Sequence, residues 1–429
     1  MAKTRKVLQQ LRDFESRNIT FLEPDGSWPV VWERAKGVHV WDVEGKKYLD
    51  LTAAFGVAAA GHANPAVVRA GQRQMGRLLH AMGDVHPHAL KAQLARELSR
   101  LTFERWSKSS RKRGKVIFSN SGFEAVESAL KTAFLATGKP GIIAFDGAYH
   151  GLGYGALNAT AREHFRAPFR DQLREFGQFA RFPTTAEQLA ETERQIRQFF
   201  RAGKIGAILV EPIQARGGTN VPPPEFLPRL RQLCEEHGAL LILDEIYTGF
   251  GRTGRWFACE HSQVIPDLIC LGKALTGGFP LSACVGRAEL MDAAWPASTG
   301  EAIHTSTFLG HPVGCAMALA QLKEIQRLKL VERSARLGKQ LLKQLATLRY
   351  QPASARGLGL MVGVELTQPD GRPATQLALD AIKRLLHGGY IFLPEGEHSN
   401  IISFTPPLTI TEAQLAKSVA ALDNALSPA

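Results

Sequence analysis

An α/β protein with a mostly parallel central sheet flanked by helices is the fold class this sequence predicts, on three observations. Apolar runs at 142–145, 205–210 and 240–243 have strand length and no polar face, as strands buried on both sides require. Each run ends in charged or glycine-rich residues, so polar groups collect at the carboxyl ends of strands, where open α/β sheets bind ligands. Beyond the run at 116–119, Phe123, Val126, Leu130, Ala133 and Phe134 share one helical face, which makes a strand-turn-helix unit.

Composition narrows the class further. The 429 residues are 45% hydrophobic and 21% charged, ordinary globular material sufficient for two or three domains. No apolar run approaches the roughly 18 residues of a membrane span, and MAKTRKVLQQLRDF lacks the apolar core of a secretion signal, so a cytoplasmic protein is expected. Five cysteines with no C-x-x-C read as reduced core residues. His86 and His88 flank a proline without a Cys or acidic companion, so no metal is expected. The net charge of +12 is spread along the chain. Its one cluster, at 108–115, reads as a solvated loop, so no nucleic-acid partner is expected, while a positive field favours anionic substrates and phosphate.

In chain order, residues 4–14 read as an amphipathic helix and 38–51 as a hairpin around Glu44 and Gly45. Helical spacing follows at 65–79 and 89–101, then the strand at 116–119, a helix from Gly122 and a strand at 142–145. The stretch 161–182 is rich in Arg and Phe without a clear period and reads as an irregular excursion over the site mouth. Arg162, Arg166 and Arg170 in it read as surface charge, with a substrate carboxylate as the alternative. The strand at 205–210 delivers Glu211 and Gln214 to the same rim. Strands at 240–243 and 267–271 deliver Asp244 and Lys273, and 281–286 returns as another strand. Ser306 and Thr307 precede a helix starting at Gly-His-Pro. From Leu330 the pattern runs helix, strand 358–366, helix 375–386, strands near Tyr390 and Ile401, and a last helix whose Thr411 and Gln414 form a capping box.

Asp244 and Lys273 are the chemical centre of this arrangement. A carboxylate opposite a lysine can be a structural ion pair. The glycine-rich runs at 248–254 and 272–278, however, let backbone approach a ligand, and a lysine forms a Schiff base with a carbonyl cofactor while an aspartate keeps a pyridine nitrogen protonated.

The run DEIYTGFGRTG followed by LGKALTGGFPLSA resembles the class III aminotransferases, of pyridoxal-phosphate fold type I. NSGFEA, DGAYHG, EPIQ and the late TPPL follow the family's order over nearly the whole chain. The resemblance implies a large cofactor domain at 66–329 and a small α+β domain from the two chain ends, 1–65 and 330–429. It implies pyridoxal 5'-phosphate on Lys273 with Asp244 at the ring nitrogen. Phosphate contacts would come from Ser121, Gly122 and the Phe123 amide. Tyr149 would stack on the ring, with His150 and Ile246 beside it and Gln214 near the phenolic oxygen. Thr307 would reach the phosphate of a neighbouring subunit, hence a homodimer with shared sites, or a tetramer; a plain helix cap is its other reading. Phe55 would cover the substrate unless it is an ordinary core aromatic. The implied activity is ping-pong transfer of an amino group from an amine or amino acid, ω-amines included, to an oxo acid or aldehyde. Racemases, epimerases and aminomutases using the same cofactor site are the alternative.

Two positions depart from the family pattern. NIISFTPPL carries Ser403 where the family has the arginine that binds a substrate carboxylate and pairs with the acid at Glu211. Losing it removes about 1.5–3 kcal/mol per charged hydrogen bond. Either another arginine, Arg216 first, takes over or the preferred amine has no carboxylate, and Glu211 is free to meet Arg216 or a second amino group. The other departure is Tyr247, where many relatives have Gln.

Overall fold

The computed structural model describes residues 2–24, 27–107 and 111–427. After an amino-terminal helix (Ala2–Phe14), the chain forms β1 (Trp32–Lys36), β2 (His39–Asp42) and β3 (Lys47–Asp50). The hairpin between β2 and β3 is organised by Asp42, whose carboxylate accepts from the amides of Glu44 and Lys46 and from the Tyr48 hydroxyl at 2.8–3.0 Å.

The central sheet contains β4 (Gly114–Ser119), β5 (Gly141–Phe145), β6 (Gly177–Ala180), β7 (Ile205–Val210), β8 (Leu240–Asp244), β9 (Leu268–Leu271) and β10 (Ser282–Arg287). Their order is β4-β10-β9-β8-β7-β5-β6, with β10 antiparallel to both neighbours and the other pairings parallel. The strand period of two divides the core. Ile142, Ala144, Ala207, Leu209, Ile242 and Leu268 face the helix Gly122–Thr137 through its Ala125, Val126, Ala129 and Ala133. Ile143, Phe145, Ile208, Leu241 and Leu243 face the helix Phe226–His237 and the rest of the core. Burial on both faces is why these strands read as continuous apolar runs.

The carboxyl-terminal part adds β11 (Ala353–Leu358), β12 (Met361–Leu366), β13 (Tyr390–Ile391), β14 (Leu393–Glu395) and β15 (Ile401–Phe404). Four of them form an antiparallel sheet ordered β11-β12-β15-β14. β13 instead pairs in parallel with β3, Tyr390 opposite Leu49, so the two ends of the chain share a sheet. The last helix, Glu412–Leu426, starts with the Thr411/Gln414 capping box.

Three expectations change. The single strand at 358–366 is a hairpin of β11 and β12, which turns at Gly359 (φ +56°); a Cβ there would lie 2.4 Å from the Thr253 carbonyl carbon. The excursion at 161–182 contains two helical turns, Glu163–Arg166 and Ala167–Gln172, and the edge strand β6, whose half-exposed GQFA sequence is too polar to register as a strand. The helix from Pro65 ends at Met75 rather than Leu79. All five cysteines are buried and free. No helix among the described residues is long and apolar enough to cross a membrane. The basic cluster at 108–115 lies partly outside the described residues.

Candidate active site

Parallel strands turn their carboxyl ends to one edge, and β4, β5, β7, β8 and β9 each place a functional group there. Asp244 ends β8 and is 5% exposed. Its Oδ1 accepts from the Ile246 amide at 3.1 Å, and its Oδ2 lies 2.8 Å from His150 Nδ1. With a carboxylate as acceptor, Nδ1 is the protonated ring nitrogen. His150, 2% exposed, also anchors its amide on Thr160 Oγ1, and its Nε2 has no hydrogen-bond partner among the described residues.

Lys273 follows β9 with φ +40°, in the left-handed region that non-glycine residues rarely occupy and that clusters at functional sites. Its Nζ lies 4.6 Å from the centroid of the Tyr247 ring. Desolvation lowers the pKa of this ammonium, opposed by the charges of Asp244, Glu211 and Glu395. The Tyr247 hydroxyl donates to Thr405 Oγ1 at 3.2 Å, and burial pushes the phenol up to about 12.

At the end of β4, the Glu124 carboxylate folds back to accept from the amides of Asn120 (2.9 Å) and Ser121 (2.7 Å). Gly122 and Phe123, next in the first helical turn, have amides with no acceptor within the helix, at the positive end of its dipole. Gly151 (φ +108°) packs so tightly on this turn that a Cβ would sit 2.3 Å from Phe123 Cβ. Glu211, just after β7, is buried and accepts from the amides of Tyr149 (3.0 Å) and Ala215 (3.1 Å). Burial pushes its carboxyl up to about 7.

These groups enclose a cavity of about 610 Å³. Phe55, Gly122, Phe123, Tyr149, His150, Glu211, Arg216, Asp244, Ile246 and Lys273 all line it. Phe55 is 50% exposed, which removes the core-aromatic reading. It ends three consecutive left-handed residues, Ala53 to Phe55, where each non-glycine residue costs about 1–2 kcal/mol. Asp50 and Thr52 hold that turn through the Ala54 amide.

Four candidate residues do not line the cavity. Ser121 sits behind the helix start, its carbonyl accepting from Ser282 Oγ. Gln214 is 1% exposed, with its amide group donating to the Asp146 carbonyl and accepting from Asn220. Ser403 is buried in β15 between Gly363 and Leu393. Thr307 is exposed in the turn ahead of the helix Pro312–Arg327. Two of the three arginines read as surface charge are committed elsewhere: Arg162 binds the carbonyls of Arg216 and Gly396, and Arg166 is 7% exposed and lies over the Phe179 ring. Arg170 is exposed and pairs with Glu163.

Sequence reasoning passed over Leu152, Phe165 and Ala215, which also line the cavity, and Glu395 behind it. Phe165 meets the Tyr149 ring edge-on at 5.6 Å, from a segment with no periodicity to mark it. Glu395 is buried at the end of β14, with Oε2 3.3 Å from Arg216 Nη1. Nothing in its local sequence links it to this rim.

The family model for class-III aminotransferases matches residues 22–426. This chain is a class III aminotransferase. It is 38% identical over 412 residues to the 5-aminovalerate aminotransferase DavT of Pseudomonas aeruginosa, covering 92% of both chains. It is 37% identical over 433 residues to the putrescine aminotransferase of Pectobacterium atrosepticum, covering 97% of this chain and 87% of that one. The solved ornithine aminotransferase of Toxoplasma gondii, described with partial pyridoxal phosphate at its active site, superposes with a TM-score of 0.84 at 29% identity, covering 98% of this chain and 94% of that one.

The aminotransferase therefore uses pyridoxal phosphate to move amino groups between amine-bearing and oxo substrates. The cavity's donor set fits that cofactor. A lysine with a depressed pKa suits a covalent anchor, a buried carboxylate held by histidine suits a pyridinium, and two helix-start amides suit a phosphate.

Proposed function

We propose that the cofactor is carried by Lys273, that the amino group exchanged is preferentially a terminal one, and that the working unit is a homodimer. The observation that carries the assignment is Lys273 in a strained left-handed conformation, in one cavity with the His150-bound Asp244 carboxylate. When bound, pyridoxal phosphate supplies the electron sink and holds the amino group between the two half-reactions. The protein's part is then positional. Asp244 keeps the proton on the ring nitrogen, and His150 fixes the orientation of that carboxylate. The amides of Gly122 and Phe123 hold the phosphate, while the Ser121 hydroxyl, donating to the Glu124 carboxylate at 3.0 Å, steadies the turn that presents them. Lys273 Nζ, once released, moves the proton at the substrate carbon bearing nitrogen. Tyr149, with Phe165 at its edge, and Ile246 confine the ring, while Phe55 covers the substrate. Gln214 acts from behind, holding the Asp146 carbonyl of the loop that carries Tyr149.

The terminal-amine preference is supported by Ser403, which offers no guanidinium for an α-carboxylate. The two curated relatives point the same way: 5-aminovalerate carries its amine at the end remote from the carboxylate, and putrescine has no carboxylate. Chain segments 1–65 and 330–429 form the small domain around the large one at 66–329, a division supported by the pairing of β13 with β3. Five unpaired buried thiols suit a reducing, cytoplasmic setting.

The test is a half-reaction. Amines, diamines, ω-amino acids and α-amino acids are mixed with holoenzyme while the visible absorbance of the bound cofactor is followed, and transfer to an oxo acid is quantified. Terminal amines are expected to react fastest. Lys273→Ala is expected to lose at least about 10²–10⁴-fold in rate with its fold intact by circular dichroism. Steady-state transfer at the wild-type rate in that variant refutes the assignment, and inversion without oxo-acid consumption replaces it with a racemase.

A further inference from the structure

A transfer enzyme must hold substrates of different charge in one cavity, in turn. If one of them carries a carboxylate and the other does not, a fixed arginine leaves an unmatched charge in one half of the cycle. Among the described residues, Arg216 is the guanidinium that lines the Lys273 cavity, its side chain 32% exposed. Arg162, the nearest alternative, is committed to the Arg216 and Gly396 carbonyls. Those same contacts, with the Gly396 amide donating to the Arg216 carbonyl at 3.1 Å, tie the loop after β7 to the turn after β14.

Opposite Arg216 stands Glu395, 4% exposed. The 3.3 Å approach of Oε2 to Arg216 is not aligned as a hydrogen bond, and that oxygen has no other donor among the described residues. The pair is thus charge-matched but loosely made, which suits a contact built to be exchanged. We propose that Arg216 takes the carboxylate of acid substrates and returns to Glu395 when the bound substrate has none. The proposal rests on the reading of the Lys273 cavity as the transfer site, and it makes Glu395 a specificity-determining residue.

Exchange has a consequence for protons. Glu395 is faced by Arg216 after β7, Arg162 after β5, Lys273 after β9, Glu211 at the end of β7 and Tyr247 after β8. Burial already pushes its carboxyl up to about 7, with Arg216 the largest opposing charge. When Arg216 moves to a substrate carboxylate, Glu395 loses that support and takes up a proton near neutral pH.

The experiment uses holoenzyme and probes matched in length: pentanoate for binding, and 5-aminopentanoate against pentylamine for the half-reaction. Calorimetry in two buffers of different ionisation enthalpy is expected to show pentanoate binding with proton uptake. Arg216→Gln is expected to weaken pentanoate at least tenfold and to lower the 5-aminopentanoate to pentylamine specificity ratio by a similar factor. Glu395→Gln, which frees Arg216, is expected to tighten pentanoate severalfold, raise that ratio and abolish the proton uptake. Absence of pentanoate binding to wild type, equal binding by all three proteins, or weaker binding by Glu395→Gln overturns the proposal. Lys273→Ala serves as the separate control: if it still converts both amines, the assignment of the cavity is what fails.

Discussion

His150 touches the Asp244 carboxylate with one nitrogen, and among the described residues its other nitrogen has no hydrogen-bond partner, so its replacement isolates the positioning of that carboxylate. His150→Phe fills the same space and leaves a buried acceptor without its donor, a cost of about 1–3 kcal/mol. Cofactor affinity is expected to fall roughly 10- to 100-fold by equilibrium dialysis, and an unchanged affinity refutes the role. A second residue-scale test concerns Glu395 in the apoprotein. Its folded pKa of about 7 lies above the ordinary 4.5, chiefly through burial, so the folded chain binds more protons between those values. The stability it contributes is fully present below about pH 4.5 and is lost as pH rises through about 7. Glu211 and Glu245 carry the same sign. Glu395→Gln apoprotein should therefore lose less in Tm between about pH 5 and about pH 8 than wild type; parallel curves contradict this. Lys273 and Asp244 were legible in the sequence because each closes an apolar run at a rim where ligands gather. Glu395 was not, because its pairing with Arg216 depends on how β14 of one sheet docks against the loop after β7 of another.

Elements carry the site by their ends. At the first turn of the helix Gly122–Thr137, whose amides face the cavity, Gly151 packs closely against Phe123 with a backbone that non-glycine residues avoid. Gly151→Ala pushes against Phe123 and is expected to weaken both pyridoxal phosphate and inorganic phosphate at least about tenfold. Thr411→Ala removes the cap of a helix remote from the cavity and should cost about 1 kcal/mol in denaturant unfolding with cofactor affinity intact. Comparable phosphate weakening in the two variants would show that Gly151 acts only through global stability. The contrast among strands explains what the sequence conveyed. β7, β8 and β9 are buried on both faces and announce themselves as apolar runs. β6 is a half-exposed edge, and β11 and β12 are continuous with their turn, so only tertiary pairing distinguishes them.

At the scale of the whole molecule, two segments, 78–85 and 303–308, expose apolar side chains beside one another. Leu78, Leu79, Met82 and Val85 are 40–63% exposed, and Ile303 and Phe308 are 65% and 54% exposed. The two segments are joined by the Thr305 hydroxyl donating to Asp84 at 2.6 Å and by an edge contact of His80 with Phe308 at 5.4 Å. Clustered apolar side chains of this kind mark an interaction face, and Thr307 lies exposed within it rather than at its own chain's cavity. In the proposed homodimer, a twofold axis through this face would give each site a residue from the other subunit. Complementation tests that arrangement. Lys273→Ala removes the anchor, and Thr307→Asp sets a carboxylate against the neighbour's phosphate, so each variant alone should be nearly inactive. In a mixture that has been dissociated and reassociated, hybrid dimers combine the intact Lys273 of one chain with the intact Thr307 of the other. One site in each hybrid is then whole, and random pairing should restore about a quarter of wild-type activity. If Lys273 and Thr307 serve the same subunit's site, no hybrid contains a whole one and the mixture stays as inactive as its parts.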